Sequence, residues 1–243
     1  MSKTIQLYPN ATTQGYVSLV SSLGDETTIV NAARVRFDKE VKTLTKSDRR
    51  LIKYLLEHKH TSTLEHNLLT LKFKAPLFVA RQHMRHRTWS FNEVSRRYTS
   101  ENLEFYCPIT FRQQAKSNRQ SSINGSEFNP VLETIAGTLM NYPSRADEDV
   151  CLHVKKSLTL YNSMLENGIC REQARMILPQ NLYTTYIGTV NLNNLIKFLN
   201  LRDHEGAQKE IQELAQATRA IAEHVWPEIM SIIPNSKQEI ETP

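Results

Sequence analysis

The sequence predicts an α+β fold: a single helix-rich domain over residues 1–243 with a modest antiparallel or mixed sheet. Three observations predict it. Only a few segments alternate polar and apolar residues as a half-buried strand does, while many more carry apolar stripes at the helical period. No internal repeat or long low-complexity linker divides the chain, and 243 residues suffice for one sizeable core. Apolar residues make up 40% and charged residues 23%, the balance of an ordinary globular protein.

The elements follow in order. "TIQLY" and "YVSLV" alternate weakly and read as short strands; "ETTIVNAARVRF" reads as a helix. "KSDRRLIKYLLEHKH" is a clearer helix, with Ser47 as N-cap and Leu51, Tyr54 and Leu55 on one face. "NLLTLKFKA" sets Leu69, Leu71 and Phe73 against Thr70, Lys72 and Lys74, a half-buried strand. Pro76 can open a helix through "LFVARQHMRH", ending near Arg87 with Arg81 and Arg85 on one face. Thr88–Ser100 then reads as loop or extended chain, and polar Phe111–Asn129 as a mobile surface loop. Pro130–Asn167 is helical with a break near Pro143, and Gly168 closes it. "REQARMILPQ" is a short helix stopped by Pro179. "NLNNLIKFLNLRD" and "AQKEIQELAQATRAIAEHVWPEIM" are further helices, the second striped by Ile211, Leu214, Ala215 and Thr218, and the tail after Pro234 frays.

Composition narrows the chemistry. Cys107, Cys151 and Cys170 are odd in number and far apart, against a disulfide framework or a structural zinc site. No apolar run approaches the length of a membrane helix, and the start lacks a secretory segment, so a cytoplasmic protein is expected. The net charge of +5 suits nucleic acid or small phosphorylated ligands equally. Seven scattered glycines provide neither a dinucleotide fingerprint nor a P-loop. Any phosphate must therefore be held largely by side chains, and the planar guanidinium fork is best suited to that.

The richest stretch is "RHRTWSFNEVSRRY". Arg85, His86, Arg87, Arg96 and Arg97 surround Glu93, an acceptor for which a nonspecific phosphate patch has no use. On charge alone it reads equally as a solvated basic face. "HTSTLEH" has two histidines and an acid, but not at the one-turn spacing of a helical metal motif, so no metal is expected. Arg171, Arg175 and Arg202 add further cations. No nucleophile stands beside a base, so a cofactor would have to carry difficult chemistry.

Together these segments resemble the flavin-dependent thymidylate synthases. Their signature is Arg-His-Arg, seven residues, then Ser; here it is Arg85-His86-Arg87, Thr88 to Val94, and Ser95, continuing to Arg97-Tyr98. The likeness extends to "HTSTLEHNLLTLKFKAPLFVARQHMRHR", "REQARMILPQNLYT" and "NLNNLIKFLNLR…AQKEI", from about Ala33 to Ile211. The resemblance implies a homotetramer with active sites shared between subunits. It implies bound FAD, the substrate dUMP, and NADPH and methylene-tetrahydrofolate as cosubstrates, with no nucleic-acid or membrane partner. Carried over by position, Ser62, Arg85, His86, Arg87, Glu93, Asn191 and Lys197 look like flavin-site residues, with His60 beside the isoalloxazine. Gln82, Arg85, Ser95, Arg96, Arg97 and Arg175 match dUMP-binding positions, and Arg202 matches the arginine facing the uracil N3 edge. Arg202, Ser95 and His60 are thus the implied catalytic set. The sequence departs from the family at Arg36, Lys197 and Gly206, where it often has Ser, Asn and His. Arg96 stands where Gly is common, which implies a contact through backbone. A nucleic-acid module built on the same arginines, or a nucleotide sensor without turnover, are the rival readings of this sequence.

Overall fold

A computed structural model describes residues 3–116, 122–132 and 143–233. The chain forms β1 (Thr4–Leu7), β2 (Gly15–Leu23), α1 (Thr28–Arg34), α2 (Lys46–Glu57), β3 (Leu68–Pro76), α3 (Leu77–His83) and β4 (Ser90–Glu93). It continues with β5 (Phe111–Gln114), β6 (Ser122–Phe128), β7 (Val131–Leu132), β8 (Ser144–Arg145), α4 (Ala146–Glu166) and α5 (Arg171–Ala174). The last elements are β9 (Tyr183–Asn191), α6 (Leu192–Arg202), α7 (Lys209–Val225) and α8 (Pro227–Ile232).

The central sheet has the order β1-β2-β3-β9-β4, and every pair in it is antiparallel. Its middle strand β3 buries Leu69, Leu71, Phe73 and Ala75 while Lys72 between them is exposed, the alternation expected of a one-sided sheet. Helix α7 packs across β1 and β2 and touches α3, α6 and α8. Its stripe of Ile211, Leu214, Ala215 and Thr218 is wholly buried, as the period predicts. A smaller apolar cluster of Phe105, Cys107, Val154 and Leu182 seats α4 beside this core.

Several elements differ from the sequence reading. Helix α2 is capped by Thr45, not Ser47: Thr45 and Asp48 close a capping box, and Tyr54 of the expected stripe is exposed. Helix α3 stops at His83, so Arg81 and Arg85 do not share its face. The stretch expected as loop or extended chain is extended at the edge strand β4, between turns. The expected polar loop at 111–129 contains the β5–β6 pair, residues 117–121 lying outside the described residues. The expected helix from Pro130 starts only at Ala146, after the β7–β8 pair; residues 133–142 are outside the description, as is the tail from 234. Gly168 does follow the helix end, at φ +80°, with Gly168 and Ile169 N–H groups donating to Leu165 and Met164 carbonyls. The last predicted helix is two, divided at Trp226 ahead of Pro227.

The largest omission is β9, the strand that joins β3 to β4. Its alternation is inverted in composition: Ile187 is exposed and Gly188 is buried. A Cβ at Gly188 would meet the rings of Phe91 and Trp89 at 3.1 Å and Phe73 at 3.2 Å. Glycine stands on the inner face because three aromatic rings already fill it.

Candidate functional site

The signature begins where α3 ends. Successive tight turns follow, with His86 N–H donating to His83 O at 3.0 Å, Arg87 N–H to Arg85 O at 3.0 Å and Trp89 N–H to His86 O at 3.1 Å. These turns send Arg85 and Arg87 to the surface and His86 and Trp89 inward. His83 is the pivot. It is fully buried against Phe73, Trp89, Phe91, Tyr186 and Phe198, and its Nδ1 meets Tyr186 Oη at 3.0 Å. Burial, then the nearby His86 and Arg202, push its pKa far below the usual imidazole value and keep the ring neutral.

His86 packs edge-on against Phe198, and its Nε2 accepts from Arg202 Nε at 3.0 Å. Its pKa falls to about 4, first through burial and then through the Arg202 charge, so the ring is a neutral acceptor at physiological pH. Arg202 is the last residue of α6, where a cation suits the helix dipole. With Nε engaged, its two Nη groups remain as a fork. A cavity of about 810 Å³ lies here, lined by Gln82, Asn200, Arg202, His204, Gly206 and Gln208 among others.

A second group forms around the turn after β4. Glu93 pairs opposite Tyr186 in the sheet and its carboxylate accepts from Thr184 Oγ1 at 2.6 Å. Ser95 Oγ accepts from Arg97 N–H at 3.3 Å, and Ser95 O accepts from Tyr98 N–H at 3.1 Å. The serine hydroxyl is thus bonded within its own turn. Arg96 turns back on its loop, donating to the carbonyls of Glu101 at 2.7 Å and Asn102 at 3.4 Å. Such a side chain is spent locally, and burial lowers its pKa. Arg97 lies 3.9 Å from Glu172 of α5, and exposed Arg175 opens the 3₁₀ turn that continues that helix.

A third group flanks the start of α6. The 3₁₀ turn Thr61–Leu64, which carries exposed Ser62, packs against α6. Asn191 caps α6, its Oδ1 accepting from Asn194 N–H at 2.9 Å. Lys197 is exposed on α6, and exposed His60 sits with its ring 6.0 Å from that of Tyr54.

The structure thus brings Gln82, His86 and Arg202 to one place, and Arg97 to the helix that leads into Arg175. Among the described residues no hydrogen bond or ion pair joins Arg202 to Arg97. Sequence reasoning assigned no role to His83, Tyr186, Gln208 or Glu210, which hold the first group from behind. The only signal for the last two was the "AQKEI" segment.

A protein-family model described as "Thymidylate synthase complementing protein" matches residues 18–228. The flavin-dependent thymidylate synthase of Thermosipho melanesiensis is 41% identical over 202 residues, 83% of this chain and 82% of that one. The chain belongs to the flavin-dependent thymidylate synthase family. Within that family, the enzyme of Thermus thermophilus is 43% identical over 216 residues, 87% of this chain and 72% of its own. Among solved structures, a UMP/dUMP methylase from Streptomyces cacaoi bound with 5-Br UMP superimposes with a TM-score of 0.71 at 31% identity, covering 90% of this chain and 92% of that chain. The matched span takes in all three residue groups of the family signature described above.

Proposed function

We propose that this flavin-dependent thymidylate synthase converts dUMP to dTMP, with methylene-tetrahydrofolate as carbon donor and NADPH-reduced FAD as hydride source. The single observation that carries the reading is the bond from Arg202 Nε to neutral His86 Nε2, which leaves the guanidinium fork beside the cavity that Gln82 also lines.

The donor set fits an anionic flavin dinucleotide. Arg85 and Arg87 are exposed, and among the described residues no acid pairs with either. Free guanidinium forks are what a pyrophosphate takes when no glycine-rich loop is present. In this reading Arg85, His86 and Arg87 hold the flavin with Ser62, Glu93, Asn191 and Lys197, and His60 lies beside its ring system. Bound flavin, once reduced by NADPH, supplies the hydride that completes the methyl group.

The rest is the work of this chain. Arg202 faces the N3 edge of uracil, where its charge favours an ionised, electron-rich ring and makes C5 the nucleophile. His86 cannot compete for that role as a cation, because its pKa is held near 4. Gln82, Ser95, Arg97 and Arg175 bind the nucleotide, with Arg96 contributing backbone only. In this reading the active enzyme is a homotetramer with sites shared between subunits; within one subunit, among the described residues, no hydrogen bond or ion pair joins Arg97 to Arg202, which fits a shared site. Among the described residues no helix is long and apolar enough to cross a membrane.

A spectrum tests it. The purified protein should show flavin absorbance that bleaches when NADPH is added without oxygen, and should form dTMP once dUMP and methylene-tetrahydrofolate follow. Protein that takes up no FAD ends the reading. Protein that binds dUMP but never forms dTMP is the nucleotide sensor instead.

A further inference from the structure

Behind the Arg202 cavity runs a line of polar side chains with one fixed end. Glu210, in the first turn of α7, is buried at 5% exposure. Its Oε1 accepts from Arg112 Nη2 at 2.6 Å and from Tyr106 Oη at 3.2 Å, and its Oε2 accepts from Gln208 Nε2 at 2.8 Å. Burial opposes its charge, but the Arg112 cation and the hydrogen bonds outweigh burial and hold the carboxyl below its ordinary value. An ionised carboxylate only accepts. Gln208 must therefore turn its NH₂ to Glu210 and its carbonyl away from it. That carbonyl accepts from Gln82 Nε2. Two amides in series thus leave one arrangement, with Gln82 Oε1 as the end left over for the cavity that Gln82, Gln208 and Arg202 line. The polarity of Gln82 is thus set by a carboxylate two side chains away.

We propose that Gln208 and Glu210 are positioning residues: they fix Gln82 with its carbonyl oxygen toward the nucleotide, so that it reads an O–H donor of the nucleoside. The Nη groups of Arg202 in the same cavity are donors only, so an oriented Gln82 supplies the complementary acceptor. A uridine nucleotide offers both kinds of partner, carbonyl oxygens to the arginine and a sugar hydroxyl to the glutamine. This rests on the reading that the cavity holds dUMP.

The test is a double-mutant cycle on the full-length FAD-loaded protein, read by calorimetric titration with dUMP. Gln82→Met and Gln208→Met should each weaken dUMP binding about tenfold, the loss of about one hydrogen bond. The double variant should be no weaker than Gln82→Met alone, and the Gln208→Met loss should appear in KM for dUMP rather than in kcat, since Gln208 acts through Gln82. A purely structural role for Gln208 would instead add its loss to that of Gln82→Met, and that additivity overturns the proposal. So does a Gln208→Met protein with unchanged dUMP affinity. Should Gln208→Met not fold, Glu210→Gln takes its place. It keeps the volume but lets the residue at 210 present either end of an amide, and its loss must likewise vanish in the Gln82→Met background. Wild-type protein that gives no dUMP binding ends the functional reading itself, an outcome the variant arms cannot mimic.

Discussion

The two arginine groups are built in opposite ways. Arg202 is held from behind by a neutral histidine, which is held by an aromatic cluster on three strands and two helices. Arg97 stands on a short turn with one distant acid at 3.9 Å, its side chain about half exposed. The first arrangement is braced within the fold; the second has only an exposed ion pair to hold it. Preorganised charge is effective where charge develops during reaction, whereas an exposed cation recruits an anion and adds mainly to affinity.

The comparison breaks most visibly at Arg202. Arg202→Ala should lower kcat by about 10²- to 10³-fold, as loss of one preorganised electrostatic group does. FAD absorbance and the melting temperature should stay near those of the wild type; wild-type turnover in that variant discredits the assignment. Next comes the support. His83→Ala leaves a hole among five rings and removes the partner of Tyr186 Oη, which should destabilise the fold by about 3 kcal/mol in urea denaturation.

The same support makes stability depend on pH. His86 has a folded pKa of about 4 against an ordinary value of 6.5. A lowered histidine pKa means the unfolded chain binds the proton first. Stability is therefore full above about pH 6.5 and falls as pH drops toward about 4. His83 is shifted in the same direction and adds to the slope. The denaturation midpoint measured between those limits should fall with pH, and His86→Gln should flatten part of that fall. An unchanged slope in that variant would remove His86 from the account.

How much of this was legible depends on where the signal sits. The Leu69-Leu71-Phe73 alternation and the Ile211-Leu214-Thr218 stripe reported their burial faithfully, because each inward position is filled by its own side chain. Strand β9 was silent because its inward Gly188 is filled by its neighbours' rings. The signature marked Arg85, His86 and Arg87 together, and the helix end at His83 separates them: Arg85 and Arg87 leave the fold while His86 enters it. Arg96 stands where the family often has Gly, and its guanidinium is spent on two carbonyls of its own loop. The Gln208–Glu210 line could not be read, since Arg112 and Tyr106 are 98 and 104 residues distant in sequence from the acid they satisfy.

Smaller effects belong to the exposed group. Arg97→Ala should raise KM for dUMP about tenfold or somewhat more, the range of one charge-assisted hydrogen bond, with kcat little changed. Added salt should narrow the gap between variant and wild type, because an exposed cation is screened. Its effect on folding should be under about 1 kcal/mol, since the Glu172 pair is solvent-exposed.

Ser95→Ala should be the mildest. Its hydroxyl accepts one backbone N–H at 3.3 Å inside a turn that two further bonds to its carbonyl already close. Among the described residues no histidine or carboxylate bonds to that oxygen, so nothing is placed to draw off its proton, and an unactivated hydroxyl is a poor nucleophile. On the proposed reading, removing it takes away one contact to the nucleotide and leaves the hydride source and Arg202 untouched. Single-turnover assays should therefore find dTMP formed at a rate within about tenfold of the wild type, the scale of one hydrogen bond. A variant that binds dUMP normally yet forms no dTMP would reverse the comparison, moving the chemistry from the half-buried arginine to the exposed turn.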